Sequence, residues 1–187
     1  MRYLAIDPGA YTGFCWGDVG GRPNSGVYKV PKHENPLDPL IGRRMNSLER
    51  FLIEVLKHNK IDRCFYEEPY TARGKMADKV GYLSNVTRYG YPVVIAMACD
   101  KVGVRCSTVP IQTWRSLSGV PTQAPKRVTG TEPRRKWLKA FALTRCAELG
   151  YEVKTDDEAD ATLIWHAMAG KHLAKEASPD LFEQVRL

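Results

Sequence analysis

The chain has 187 residues, 43% of them hydrophobic, with a formal net charge of +7 and a pI near 9.2. That length suits one domain with a sheet covered by helices and leaves no need for a second core. Five cysteines, an odd number with no CxxC pair, argue against a disulfide scaffold and a zinc site and for a reducing compartment. With no signal peptide and no apolar run of membrane-spanning length, the expectation is a soluble, cytoplasmic protein.

The positive excess is uneven. Between Lys101 and Lys154 eleven Lys and Arg stand against three Glu, more than the excess of the whole chain, so the remainder is slightly acidic. A basic half joined to a set of acids is the pattern of a protein that holds polyanions while using metal ions on them. A well-solvated basic face would have the same composition.

In chain order, Arg2 to Asp7 is a short apolar run ending in a carboxylate, followed by Pro8-Gly9 and then Thr12-Gly13. It reads as a buried strand that delivers Asp7 to its end and turns sharply. Alone, Asp-Pro-Gly is more often just a turn. Thr12 to Asp18 and Gly26 to Val30 supply two further strands, giving an antiparallel meander, and Pro31 to Pro39 is a loop. From Leu40, apolar residues at Ile41, Met45, Leu48, Leu52 and Val55 recur at helical spacing, so an amphipathic crossover helix leads into the strand Cys64 to Glu67. Such a crossover makes that strand parallel to the first, so Asp7 and Glu67 arrive at one sheet edge. Strand alternation separates Glu67 from Glu68 and favours Glu67 as the acid beside Asp7.

Met76 to Arg88 and Pro92 to Val102 read as two helical pieces interrupted at Gly90-Tyr91-Pro92. The second is apolar around most of its circumference, which suits a core helix or a subunit interface. Arg105 to Val109 is a strand, and Pro110 opens a helical turn carrying Trp114 and Arg115. Leu117 to Pro133 reads as a flexible basic loop containing Lys126 and Arg127, with Arg134, Arg135 and Lys136 just after it. Thr131 can cap a helix that Gly150 ends, and Thr155 to Glu158 has the form of a capping box opening a last helix to about Gly170. Helical spacing puts Asp157 and Asp160 on the stripe that Ile164 and Met168 continue into the core. A helix dipole explains acids at 156 to 158, whereas Asp160 faces the side to be buried and calls for a metal ion or a basic partner.

LAIDPG with Thr12-Gly13, FYEEPY at a later strand end, and DEADA opening the last helix together resemble the RuvC family of Holliday junction resolvases, in the form of its phage branch. The resemblance implies an α/β ribonuclease H-like domain over residues 1–175, with a tail at 176–187. Its mixed five-stranded sheet has three antiparallel first strands and helices on both faces. It implies a magnesium-dependent endodeoxyribonuclease that makes paired nicks in branched DNA as a homodimer. Asp7, Glu67, Asp157 and Asp160 would be the catalytic acids and the ligands of two Mg2+ ions, with Mn2+ able to substitute. It further implies that Tyr70 stacks near the crossover and that Arg134 approaches the cleaved phosphate. Arg115, Lys126, Arg127, Arg135 and Lys136 are the other DNA-binding candidates. The helix around 93 to 99 would be the dimer interface, to be tested by an acid at Ile95.

Two departures stand out: the loop from Gly119 to Arg134 is longer than in bacterial members, and Trp114-Arg115 occupies a place where a Lys is usual. An actin-like ATPase begins with a similar strand and turn but needs a second lobe, so no nucleotide cofactor is expected. A ribonuclease H-like nuclease acting on RNA or flap DNA, or a junction-binding protein without catalysis, remains as an alternative.

Overall fold

A computed structural model describes residues 1–31, 40–69 and 82–177. Its elements are β1 (Arg2–Asp7), β2 (Tyr11–Asp18), β3 (Asn24–Lys29), α1 (Leu40–His58), β4 (Arg63–Glu67), α2 (Tyr82–Val102), β5 (Arg105–Val109), α3 (Ile111–Ser118), α4 (Thr131–Glu148) and α5 (Asp156–Ala177). The five strands form one sheet in the order β3-β2-β1-β4-β5. β1, β2 and β3 pair antiparallel, while β4 lies parallel to both β1 and β5, as a helical crossover through α1 requires. This is the mixed five-stranded sheet, its first three strands antiparallel, that was expected from the sequence.

Strand alternation divides the core in two. On one face Tyr3, Ala5 and Phe65 pack with Trp114, Ala159, Leu163 and Ile164, beneath α3, α4 and α5. On the other, Leu4, Ile6, Cys64 and Tyr66 pack with Leu48, Leu52, Ile95 and Ala98 of α1 and α2. From Glu158 to Ala169, α5 is buried almost all round, because the sheet covers one side of it and α3 and α4 cover the other. Among the described residues no helix is long and apolar enough to cross a membrane.

Several element boundaries differ from the sequence reading. β3 begins at Asn24, two residues early, with Gly26 opposite Phe14; a Cβ at Gly26 would lie 2.8 Å from that ring. Gly130 is the N-cap of α4, and Thr131 is its first residue. Gly170 does not end α5, which continues to Ala177. The segments 32–39, 70–81 and 178–187 lie outside the described residues. With them go Tyr70, most of the proline-rich loop, the start of the helical piece predicted from Met76 and the last residues of the tail.

The largest correction concerns α2, which is one helix passing through Gly90-Tyr91-Pro92. An interior proline removes a helical N–H and costs about 3 kcal/mol. Tertiary packing outweighs it: Tyr91, Val94, Ile95, Ala98 and Cys99 are buried, and a Cβ at Gly90 would meet Met45 Cε of α1 at 2.5 Å. Ile95 is 0% exposed, so an acid there would disrupt the core rather than probe an interface. The outer side of α2 carries Val93, 57% exposed, and Met97, 47% exposed.

The cysteines are free, as expected. Spacing along the chain gave no sign, however, that Cys64, Cys99 and Cys106 meet, with all three sulfurs within 4.8 Å of one another. Among the described residues no histidine or carboxylate joins them. Cys64 and Cys99 sit within the apolar core under α2, and Cys106 packs against it.

Candidate active site

Ile6 pairs with Tyr66 in the parallel β1–β4 ladder, so the strands end side by side. Asp7 follows the alternation of Tyr3 and Ala5, and Glu67 that of Phe65. Both acids therefore point to the α5 face. Glu68 is exposed and its N–H donates to the Val109 carbonyl at 2.9 Å, one residue beyond the end of β4. After Asp7 the turn is held by the buried Thr12, whose hydroxyl donates to the Gly9 carbonyl at 2.7 Å.

The start of α5 is fixed over this edge by three hydrogen bonds. The Glu158 N–H donates to Thr155 Oγ1 at 3.2 Å, half of a capping box. The other half is rewired: the Glu158 carboxylate accepts the Lys154 N–H and the Ser25 hydroxyl, each at 2.8 Å, which ties the helix to β3. Gly13, the antiparallel partner of Asp7, lies directly under the Asp157 backbone. A Cβ at Gly13 would sit 2.6 Å from the Asp157 carbonyl carbon and closer still to its oxygen. The absence of a side chain there lets α5 come down onto the sheet and brings Asp157 and Asp160 to Asp7.

An open cavity of about 470 Å³ results, lined by the acids Asp7, Asp156, Asp157 and Asp160 and by the basic residues Arg115, Arg134, Arg135 and Lys139. Asp7 also borders a smaller cleft of about 240 Å³, with Glu67, Glu68 and Tyr91, on the α2 side. Burial, then Asp160, Glu67 and Asp157 in that order, push Asp7 well above the ordinary aspartate range; Lys139 opposes them. Asp160 is pushed up to about 7 by burial and by Glu67, against the pull of Arg115. Glu67 and Asp157 are raised by burial, opposed chiefly by the indole of Trp114 and by Lys139 respectively.

The donors are all carboxylate oxygens, a hard set that suits Mg2+ or Mn2+ and not a soft metal. Among the described residues only the cysteines bring three ligand atoms within 4.8 Å of one another, so the acids are spread more widely than a cage for one ion. That spread fits ligands shared between two cations and a phosphate. Asp7, Glu67, Asp157 and Asp160 are the residues able to hold them.

Of the basic residues expected to meet DNA, Arg115, Arg134 and Arg135 line the cavity. Arg134 donates through Nε to the Val128 carbonyl at 2.9 Å, fastening the loop to α4. Lys126, Arg127 and Lys136 are exposed and do not line it.

Two participants were missed in the sequence. Lys139 lines the cavity and is ion-paired with Asp156; its position four residues after Arg135 on one helix was the available signal. Trp114 donates its indole N–H to Glu67 Oε2 at 2.9 Å, and nothing in the spacing of residues 67 and 114 announces that.

No known family model matches the chain, and no curated protein matches it in sequence. Solved structures do match. The Thermus thermophilus RuvC structure superposes with a TM-score of 0.63 at 19% identity, covering 95% of this chain and 97% of that one. T. thermophilus RuvC in complex with a Holliday junction substrate gives a TM-score of 0.60 at 15% identity, over 94% and 96% of the two chains. The yeast mitochondrial Holliday junction resolvase Ydc2 gives 0.52 at 13% identity, over 97% and 85%. The chain has a RuvC-like resolvase fold.

Proposed function

We propose that this chain is a structure-specific endonuclease that hydrolyses phosphodiesters in four-way (Holliday) or otherwise branched DNA, acting as a homodimer with two Mg2+ ions at each site. The observation that carries this reading is the convergence of four carboxylates, Asp7 from β1, Glu67 from β4, and Asp157 and Asp160 from α5, three of which line a cavity that basic side chains also line. The RuvC-like fold supports it, since one solved neighbour is described in complex with a Holliday junction substrate.

The geometry supports a division of labour. When bound, the cations supply Lewis acidity at the attacking and leaving oxygens. Asp7 stands among the other acids, and Asp7, Glu67, Asp157 and Asp160 would hold the ions. Arg134 and Arg135 present forked guanidinium groups suited to phosphate oxygens. Arg134 keeps donors for that purpose, because its bond to Val128 uses one of five. Lys139, steadied by Asp156, and Arg115 offset the negative charge of acids and phosphate in the same cavity. The exposed Lys126 and Arg127 of the preceding loop extend the positive surface along a polyanion.

The test is incubation with synthetic four-way junctions, flaps, linear duplex and RNA in Mg2+, with and without chelator. Cleavage of the four-way junction well above duplex, abolished by chelator, is expected. Cleavage confined to RNA or flaps would favour a different ribonuclease H-like activity, and tight junction binding with no cleavage would favour a non-catalytic role.

A further inference from the structure

Trp114 is fully buried, yet its one polar atom reaches a carboxylate of the acid cluster. β5 ends at Val109, the register partner of Glu67, and α3 starts two residues later, so the first turns of α3 pass beside the Glu67 side chain. Trp114 is clamped there. Its backbone N–H donates to the Pro110 carbonyl at 3.2 Å, and its backbone carbonyl accepts the hydroxyl of the buried Ser118, with the Leu163 carbonyl of α5 3.3 Å from the same hydroxyl. The Arg115 guanidinium carbon lies 5.1 Å from the centre of the Trp114 ring.

We infer that Trp114 is a positioning residue, whose indole N–H fixes the Glu67 carboxylate by Oε2 and leaves Oε1 as the oxygen Glu67 offers to a divalent cation. Filling space would not by itself require this contact. The Trp165 indole nitrogen is also buried, and among the described residues it has no partner. An indole can only donate, so the bond favours the ionised carboxylate, the form that binds a cation. Being neutral, it does so without placing a second positive charge where a cation must go. Hydrogen bonds to ligating carboxylates are worth about 10- to 100-fold in metal affinity or activity.

This inference rests on the nuclease reading, so two of its three measurements are independent of cleavage. The full chain has four tryptophans, hence four indole N–H cross-peaks in a ¹⁵N–¹H spectrum, and Trp114→Phe identifies the one concerned. Glu67→Ala is expected to move that cross-peak and speed its hydrogen exchange, leaving the other three in place. Trp114→Phe keeps an aromatic ring but no N–H. It is expected to need about 10- to 100-fold more Mn2+ for half-saturation by electron paramagnetic resonance, and to lose turnover on the junction by a similar factor with junction affinity within about twofold. An unmoved cross-peak in Glu67→Ala, or wild-type Mn2+ binding by Trp114→Phe, would overturn it. If Trp114→Phe does not fold, phenylalanine at each of the other three tryptophans assigns the cross-peak by elimination, and Glu67→Ala decides. A wild-type protein that cuts nothing would refute the nuclease reading while leaving the spectrum and the Mn2+ titration to judge the contact.

Discussion

Asp7 and Asp160 occupy positions where burial and like charge both oppose ionisation, so their folded-state pKa values lie above the ordinary aspartate value of 3.8, Asp160 at about 7. A group raised in this way contributes stability that is complete below the unfolded pKa and is lost as pH rises through the folded one. Metal-free protein is therefore expected to lose several degrees of melting temperature between about pH 5 and pH 8, at about 2–4 °C per kcal/mol for this chain length. Added Mg2+ should restore more of it at pH 8 than at pH 5, because the ligands must be ionised. A melting temperature that rises across this range in chelator, or equal Mg2+ stabilisation at both pH values, would contradict the charge assignment. Gly13 acts at the same scale without touching substrate. Gly13→Ala forces a methyl group into the Asp157 backbone, so it should destabilise by about 1–3 kcal/mol. It should also lower cleavage more than its loss of folded protein explains, since Asp157 and Asp160 are lifted from Asp7. Denaturant melts and a cleavage assay on the same preparation separate the two effects.

The strands and α5 were legible because each carries a local signal: alternation, a terminal carboxylate, a capping sequence. α2 was not, since Gly90-Tyr91-Pro92 is a strong local breaker and the burial that overrides it comes from α1, a distant part of the chain. The same override splits the apolar surface of α2 into an inner side containing Ile95 and an outer side containing Tyr89, Val93 and Met97. The outer side is where a second copy would seat in the proposed dimer. Combined Val93→Asp and Met97→Asp substitutions are expected to yield a folded monomer by light scattering that nicks junction strands singly and no longer in pairs. A wild-type monomer that still makes paired incisions would place the interface elsewhere or remove it.

Across the whole molecule, the sequence carried the convergence of Asp7, Glu67, Asp157 and Asp160, because strand ends and helix starts can be located from pattern alone. It could not carry the contacts that complete the site. Trp114 to Glu67, Lys139 to Asp156 and Gly13 under Asp157 join elements by tertiary packing, and none has a characteristic spacing. The assembled molecule gathers basic and acidic side chains in one cavity, and on the proposed reading the first would bind a phosphate backbone and the second would act on it. If that is its purpose, removing one acid should uncouple binding from cleavage. The most direct measurement compares wild type with Asp7→Asn on a synthetic four-way junction in Mg2+, following binding and strand scission together. The wild type should make symmetric incisions, and Asp7→Asn should lose scission by orders of magnitude while binding the junction as tightly or more tightly. Scission by Asp7→Asn at a comparable rate, or by the wild type in chelator, would contradict the account.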